Sequence, residues 1–244
     1  MSWKGVLLAC GNNAKTIKGD GSEYLTAIMY LAPWKLAKLV NVCPMAEQAG
    51  CIDACLFSAG RGQMHNVKSA RIRKTEWFAR DRAGFMAQLV ADVRSFVSYC
   101  AKRNIKPCVR LNGTSDIRWE LIPVTLGEHT CGNIFIAFPQ VQWYDYTKIA
   151  NRKISHTTPN NYHLTFSYSN ANPKYAAMAR DAISNGMNVA VVWRSKQKIP
   201  ATFLGLPTID GDRDDLRFLD PKQCVVALYA KGAAKRDTSG FVQD

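Results

Sequence analysis

Short apolar runs bounded by polar turns recur along the chain and predict a series of buried strands. Several runs are apolar on both faces, which is typical of strands in a parallel sheet covered on each side. The predicted strands are residues 23–33, 107–112, 141–148, 162–169, 188–193, 201–206 and 223–231.

Apolar residues spaced three and four apart predict the helices between these strands. The strongest pattern begins after Asp81, a good N-cap residue, and continues to Asn104. Residues 173–185 form a second helical pattern, with proline in the first turn and glycine just past the end. A third predicted helix, over residues 68–82, is rich in basic side chains.

Strands that alternate with helices favour a β/α architecture. Neither an internal repeat nor a linker divides the 244 residues. The pattern therefore predicts one α/β domain over residues 1–244, built as a complete or partial TIM-like (β/α) barrel. In such a fold the chemistry lies beyond the carboxyl ends of the strands.

Three cysteines lie within thirteen residues after the first predicted strand. Residues 34–42, predicted as a short helix or a second strand, lead into them. The cysteines are Cys43, Cys51 and Cys55, and the nearby Pro44 and Gly50 place them on a loop. Thiolates bind soft metals, and three ligands with one open position favour an iron–sulfur cluster. Zinc and unligated thiols are the alternatives.

The remaining cysteines are isolated and, with one exception, lie in apolar surroundings. Cys10, Cys100, Cys108 and Cys224 are interpreted as buried core thiols, while Cys131 follows a histidine and is a reserve ligand. Disulfides are not expected, because the chain has no signal-peptide pattern at its N-terminus and no apolar run of about 20 residues. These features predict a cytoplasmic protein with no membrane partner.

The net charge of +13 and pI near 9.5 favour a polyanionic partner. The basic helix is the predicted nucleic-acid surface, and a solvated helix face is the alternative interpretation. Its phosphate-binding candidates are Lys68, Arg71, Arg73, Lys74 and Arg80.

Polar residues at the predicted strand ends form a candidate pocket with the cysteine loop. We assign Asp116 and Lys148 to substrate orientation, and Ser167 and Ser169 to cofactor binding. Other polar candidates at strand ends are Glu120, Asp145 and Lys231.

Two loops suggest ion binding more weakly. Residues 11–22 could meet a phosphate through Lys15, Thr16 and Lys18, but they lack the ending of a Walker loop. Residues 209–215 resemble a calcium loop, yet position twelve falls on Pro221 instead of glutamate, so an acidic turn is favoured.

The cysteine motif, the following Gly60-Arg61 and the basic run from Val67 to Arg71 together resemble an uncharacterised family of bacteriophage gene products. Further likeness lies in residues 110–116, 146–148 and 167–169. The resemblance implies a phage origin and, with it, action in the host cytoplasm.

A more distant similarity is to radical S-adenosylmethionine enzymes, which place three cysteines after the first barrel strand. This resemblance implies that the three cysteines hold a cluster and that Asn112 and Gly113 approach S-adenosylmethionine. The chain departs from that superfamily in its cysteine spacing of seven and three, and in having Asn-Gly-Thr-Ser-Asp instead of Gly-Gly-Glu.

These features lead to two main functional hypotheses. The first is an iron–sulfur, radical-type enzyme acting on nucleic acid or a nucleotide during infection. The second is a non-catalytic nucleic-acid-binding protein with structural zinc or unligated thiols. A third, binding to a host protein, has no motif for or against it.

Overall fold

The computed structural model describes residues 1–11, 23–55, 57, 60–152 and 159–244. The candidate phosphate-binding residues Lys15, Thr16 and Lys18 lie outside these ranges.

The described residues form four α-helices and twelve strands. The helices are α1 (His65–Arg80), α2 (Arg82–Ala101), α3 (Ile134–Ala137) and α4 (Pro173–Ser184). The strands are β1 (Leu8–Ala9), β2 (Tyr24–Met29), β3 (Lys106–Arg110), β4 (Val124–Leu126), β5 (His129–Cys131), β6 (Gln142–Thr147), β7 (Tyr162–Ser167), β8 (Asn188–Trp193), β9 (Thr202–Phe203), β10 (Leu206–Asp210), β11 (Val225–Tyr229) and β12 (Val242–Gln243).

Ten of these strands make one mixed sheet, and β4 and β5 form a separate hairpin. The order along the sheet is β1-β2-β3-β6-β7-β8-β11-β10-β9. Neighbours from β2 to β10 are parallel, whereas β1 and β9 pair antiparallel at the two edges. β12 pairs with the second half of β8, beyond the part that pairs with β7.

The prediction of a complete or partial TIM-like barrel is wrong, because the sheet is open. β1 and β9 are the ends of the strand order and do not pair with each other. The chain also inserts β11 between β8 and β10, which interrupts the sequential order that a barrel requires. Local periodicity predicts strands and helices, but it does not encode which strands meet at the edges.

The main core lies between one face of the sheet and the helices. α2 begins at the predicted N-cap, where the Asp81 carboxylate accepts a 2.8 Å hydrogen bond from the backbone N–H of Gly84. Its apolar side packs into the same buried cluster as alternate residues of β2, β3 and β6, such as Ala27, Val109 and Trp143. The apolar face of the helix therefore packs against the apolar face of the strands, as the sequence periods predict.

The opposite face of the sheet is crossed by residues 211–220, here called the return segment. This segment leads from β10 back to β11, opposite in direction to the steps from β2 to β8. Because parallel crossovers are right-handed, a reversed step places its connection on the other face. Asp215 of this segment pairs with Arg110 of β3, and Phe218 packs against Tyr24 and Tyr144.

In the part of the chain that the structure describes, every helix is too short or too polar to traverse a lipid bilayer.

Candidate functional site

The cysteine segment, residues 43–55, is a series of turns and bends at the carboxyl edge of the sheet, as the sequence predicts. Cys43, Cys51 and Cys55 are partly exposed, and Cys131 is the other cysteine with that exposure. The predicted core thiols are fully enclosed: they are Cys10, Cys100, Cys108 and Cys224. In the described structure none of the eight cysteines forms a disulfide.

Hydrogen bonds from three distant parts of the chain fix the cysteine segment. The Ser169 hydroxyl, after β7, donates to the Ala49 carbonyl at 2.7 Å. The Ser239 hydroxyl donates to the Gly50 carbonyl at 2.7 Å, and the Asp116 amide donates to the Val42 carbonyl at 2.7 Å. The segment is therefore held against the ends of β3 and β7 and against the residues preceding β12.

Gly50 is required by this arrangement. Its φ of +60° lies in the left-handed region, and a Cβ placed there would come within 2.7 Å of the Ala171 side chain. A glycine thus lets the turn before Cys51 approach the loop after β7.

The three thiols lie within electrostatic range of one another. Burial raises the pKa of Cys43 to about 12, a hydrogen bond with the Trp34 backbone opposes this, and charge on Cys55 and Cys51 raises it further. Burial also raises the pKa of Cys55, as does Cys51. Among the residues described, however, no three His, Cys, Asp or Glu side chains are arranged as the ligands of a bound metal ion. The thiols are neighbours without preformed ligand geometry.

Two cations lie near Cys55. Charge on Lys148 and on Arg71 lowers the pKa of Cys55, against the larger effect of burial. The Lys148 ammonium donates to the Ser167 hydroxyl at 2.7 Å. The Arg71 guanidinium lies 4.6 Å from the centre of the Tyr30 ring, and its Nε and Nη1 have no hydrogen-bond partner among the described residues. The Arg71 guanidinium thus retains donor capacity beside Cys55.

Asp116 is enclosed, and its carboxylate is used within the protein. One oxygen accepts hydrogen bonds from the Thr147 hydroxyl at 2.9 Å and from Arg152 at 2.8 Å, and the other accepts from the Lys148 amide at 2.7 Å. Asp116 therefore fixes the backbone of Lys148, and the predicted pair meets at the edge of the sheet.

Asn112 and Gly113 shape the loop that faces the cysteine segment. The Asn112 side-chain oxygen accepts from Ser115, Ile117 and Trp119 at 2.8 to 3.0 Å, so it is occupied internally. A Cβ on Gly113 would come within 2.6 Å of the Met29 carbonyl oxygen, so this loop lies directly against the end of β2.

A buried ionic cluster lies next to this loop, and the sequence predicts only some of its residues. Arg152 is fully enclosed and contacts Glu120 through two hydrogen bonds, at 2.9 and 2.8 Å, in addition to Asp116. Arg152 lies in a polar stretch with no periodic signal, whereas Glu120 and Asp145 were candidates. Burial raises the pKa of Asp145 to about 7, even though Arg110 and Arg152 lower it.

The structure divides the predicted phosphate-binding residues of α1 into two groups. Lys68, Arg73 and Arg80 are exposed. Lys74 turns inward, donates to the Leu7 carbonyl at 2.7 Å, and has its pKa lowered to about 8 by burial. Arg71 turns toward the thiols. Part of the predicted basic face is therefore available to a large anion.

Lys231 does not join the thiols in this way, since its ammonium pairs with Asp212 of the return segment at 2.8 Å. A cleft of about 350 Å³ lies along β10 and contains none of the three clustered cysteines among its lining residues.

The chain is therefore an α/β protein with an open, largely parallel sheet and a thiol-rich segment at the carboxyl edge of that sheet. The model of the Gene product 88 family matches residues 6–244, so the chain belongs to that family. The predicted membership in a bacteriophage gene-product family is thereby confirmed. No curated protein and no solved structure matches the chain.

Proposed function

We propose that this chain is an iron–sulfur protein whose cluster is bound by Cys43, Cys51 and Cys55. The observation that carries the proposal is the gathering of three partly exposed thiols at the carboxyl edge of the sheet, within electrostatic range of one another. Three thiolates leave one position of a cluster open to a ligand. Zinc on the same thiols is the alternative occupant.

The surroundings of the thiols support this proposal. Lys148 and Arg71 supply positive charge, which would offset the charge of thiolate ligands and attract an anionic ligand to the open position. The carboxylate of S-adenosylmethionine is such a group, and a nucleotide phosphate is another. A bound cluster of this kind supplies single electrons, while the residues of this chain bind and orient the ligand. Binding also requires the thiols to lose protons and to move into ligand positions.

Anaerobic expression with added iron and sulfide tests the proposal. We expect iron and acid-labile sulfide in the purified protein and visible absorbance typical of a cluster. Each of Cys43→Ser, Cys51→Ser and Cys55→Ser should lose most of the iron. Cys131→Ser is the matched control, because Cys131 is also partly exposed but lies on the separate hairpin.

A colourless protein that holds neither iron nor zinc after this treatment would refute a metal centre. Zinc at one equivalent, lost in the same three variants, would replace the cluster by the structural-zinc alternative.

A second proposed activity is nucleic-acid binding, favoured by the net charge of +13 and by the exposed cations of α1. We expect affinity for DNA or RNA to fall steeply with salt, because each neutralised phosphate releases counterions. Replacing Lys68, Arg73 and Arg80 together by alanine should reduce the logarithmic salt slope by about 3.

The matched control for α1 replaces Lys174, Arg180 and Lys222 by alanine, which removes the same exposed charge elsewhere. Equal loss of affinity in both triple variants would show that net charge alone acts. No binding at low salt would remove nucleic acid as a partner.

A further inference from the structure

The face of the sheet beneath the return segment has an unusual polarity. In the described structure, several buried polar atoms on or against this face have no hydrogen-bond partner. They are Arg110 Nε, Tyr146 Oη, Thr165 Oγ1 and Arg217 Nε. Arg110 is 8%, Thr165 0% and Arg217 1% exposed. Because buried donors are nearly always paired in folded proteins, such a concentration indicates a surface that can bind a polar ligand.

The return segment places a carboxylate on this surface. Asp215 Oδ2 lies 2.6 Å from Arg110 Nη1, and both side chains are nearly enclosed. The Arg110 guanidinium lies 5.5 Å from the Tyr144 ring and 5.1 Å from the Tyr146 ring. Arginine binds carboxylate and phosphate oxygens with the same donors, so a phosphate could take the position of the Asp215 carboxylate.

The same segment also places an aromatic ring against this face of the sheet. The Phe218 ring packs against the rings of Tyr24 and Tyr144, with centroids 5.1 and 5.4 Å away and interplanar angles of 72° and 59°. Tyr144 therefore contacts both the arginine and the inserted ring. A carboxylate on Arg110 and an aromatic ring against two tyrosines resemble the phosphate and the base of a mononucleotide.

We infer that this face of the sheet is a mononucleotide site, in which Arg110 binds the phosphate and the rings of Tyr24 and Tyr144 contact the base. Asp215 and Phe218 occupy the two positions when the site is empty. Nucleotide binding displaces the Asp215 carboxylate and the Phe218 ring, and it uses the unpaired donors of Tyr146 and Thr165 on the sheet. The site requires no metal centre, so the test of nucleotide binding is independent of the test of cluster binding by the thiols.

Removing the inserted ring tests the inference. Equilibrium dialysis would measure the binding of the four ribonucleoside 5′-monophosphates to the unmodified protein and to Phe218→Ala. We expect Phe218→Ala to bind at least one of them at least tenfold more tightly. The corresponding nucleoside and inorganic phosphate, each offering half of the contacts, should bind at least tenfold more weakly than that nucleotide.

Phe203→Ala is the matched control, because Phe203 is also half-buried and packs edge-on against two aromatic rings, Tyr168 and Trp193. It should bind as the unmodified protein does. Adding Arg110→Met to Phe218→Ala should abolish the gain in affinity.

Hydrogen–deuterium exchange keeps the test decisive if the double variant does not fold. With the tightest-binding nucleotide, Phe218→Ala should show slower exchange in β3 and β6. An unchanged affinity in Phe218→Ala, a nucleoside that binds as tightly as its nucleotide, or no protection of these strands would each overturn the inference.

Discussion

Arg152 is the residue on which the carboxyl edge of the sheet depends most directly. It is fully enclosed and holds two carboxylates, Asp116 and Glu120, that are themselves almost completely buried. Through Asp116 it also fixes the backbone of Lys148. Its role is structural, since its guanidinium is surrounded by protein acceptors.

Arg152→Met should therefore destabilise the fold strongly. The substitution leaves the buried Asp116 without its paired cation and leaves Glu120 with only the 3.3 Å contact to Arg118. Removing one partner of a buried ion pair typically costs about 3–5 kcal/mol. Urea unfolding would measure the loss, with Arg180→Met on the exposed side of α4 as the control, expected to change stability by less than about 0.5 kcal/mol. A loss as small as the control's would show that the cluster contributes little.

We expect the buried Asp145 carboxyl to make the stability of the protein depend on pH below neutrality. Burial raises its pKa to about 7. Because the folded state binds this proton more tightly than the unfolded state, stability is highest below the unfolded pKa and falls as pH rises through the folded pKa. The fall should approach about 1.4 kcal/mol per pH unit between roughly pH 4 and 7.

Asp145→Asn should reduce this slope while keeping an oxygen to accept from the Asn112 amide. Unfolding free energies from pH 4 to 7 would measure the difference between the two proteins. Identical slopes would show that Asp145 does not take up a proton in this range.

Sequence reasoning was most informative about residues where composition itself is unusual. Three cysteines in thirteen positions are visible in the sequence alone. In the fold, Asp116, Lys148 and Ser169 lie near the cysteine segment, and Ser167 contacts Lys148. The direction of a polar side chain was not readable from the sequence. The sequence predicts that Asp116 orients substrate, but it does not show that the carboxylate accepts hydrogen bonds from Thr147, Lys148 and Arg152.

At the scale of elements, α2 fixes the first edge of the sheet. The Asp92 carboxylate, 4% exposed, accepts hydrogen bonds from the backbone N–H groups of Val6, Leu7 and Leu8 at 3.2, 2.6 and 3.0 Å. One side chain of α2 thus accepts the hydrogen bonds of three backbone N–H groups in the turn that leads into β1.

Asp92→Ala should release β1 from α2. An unsatisfied buried donor costs about 1–3 kcal/mol, and three lose their partner together. We expect a loss of at least about 3 kcal/mol in urea unfolding and faster amide exchange at residues 6–9. Asp181→Ala, on the exposed side of α4, should leave both measurements unchanged, and normal protection of residues 6–9 in Asp92→Ala would contradict this role.

The elements themselves were largely predictable, because hydrophobic period and capping are local. The helix beginning at Asp81 and the strand over residues 188–193 agree with α2 and β8. The residues between 34 and 42 have a mixed pattern and form turns instead of the predicted helix or strand. Strand order is set by long-range pairing, and this is why the barrel prediction failed.

At the scale of the whole molecule, the residues around β12 hold the cysteine segment against the sheet. β12 pairs with β8, the Gly240 carbonyl accepts from the Asn170 amide, and Ser239 binds the Gly50 carbonyl. The sequence pattern of these residues carries no sign of this pairing.

Deleting residues 238–244 should loosen the cysteine segment. We expect a fall in Tm on the order of 5 °C, from the lost pairing and hydrogen bonds, and faster alkylation of Cys51 measured by mass spectrometry. Ser239→Ala, which removes only the contact to Gly50, should have a smaller effect. An alkylation rate unchanged by the deletion would show that these residues do not shield the thiol.

The Ser239–Gly50 contact also implies a delay during synthesis of this protein, because it cannot form until Ser239 has been made. The two residues are separated by 189 positions, so a ribosome adding 5–20 residues each second needs about 10 to 40 s to pass from one to the other. For that interval the newly made thiols lack their final cover. Metal, chaperone or oxidant reaching the nascent chain then meets cysteines that the finished fold partly encloses.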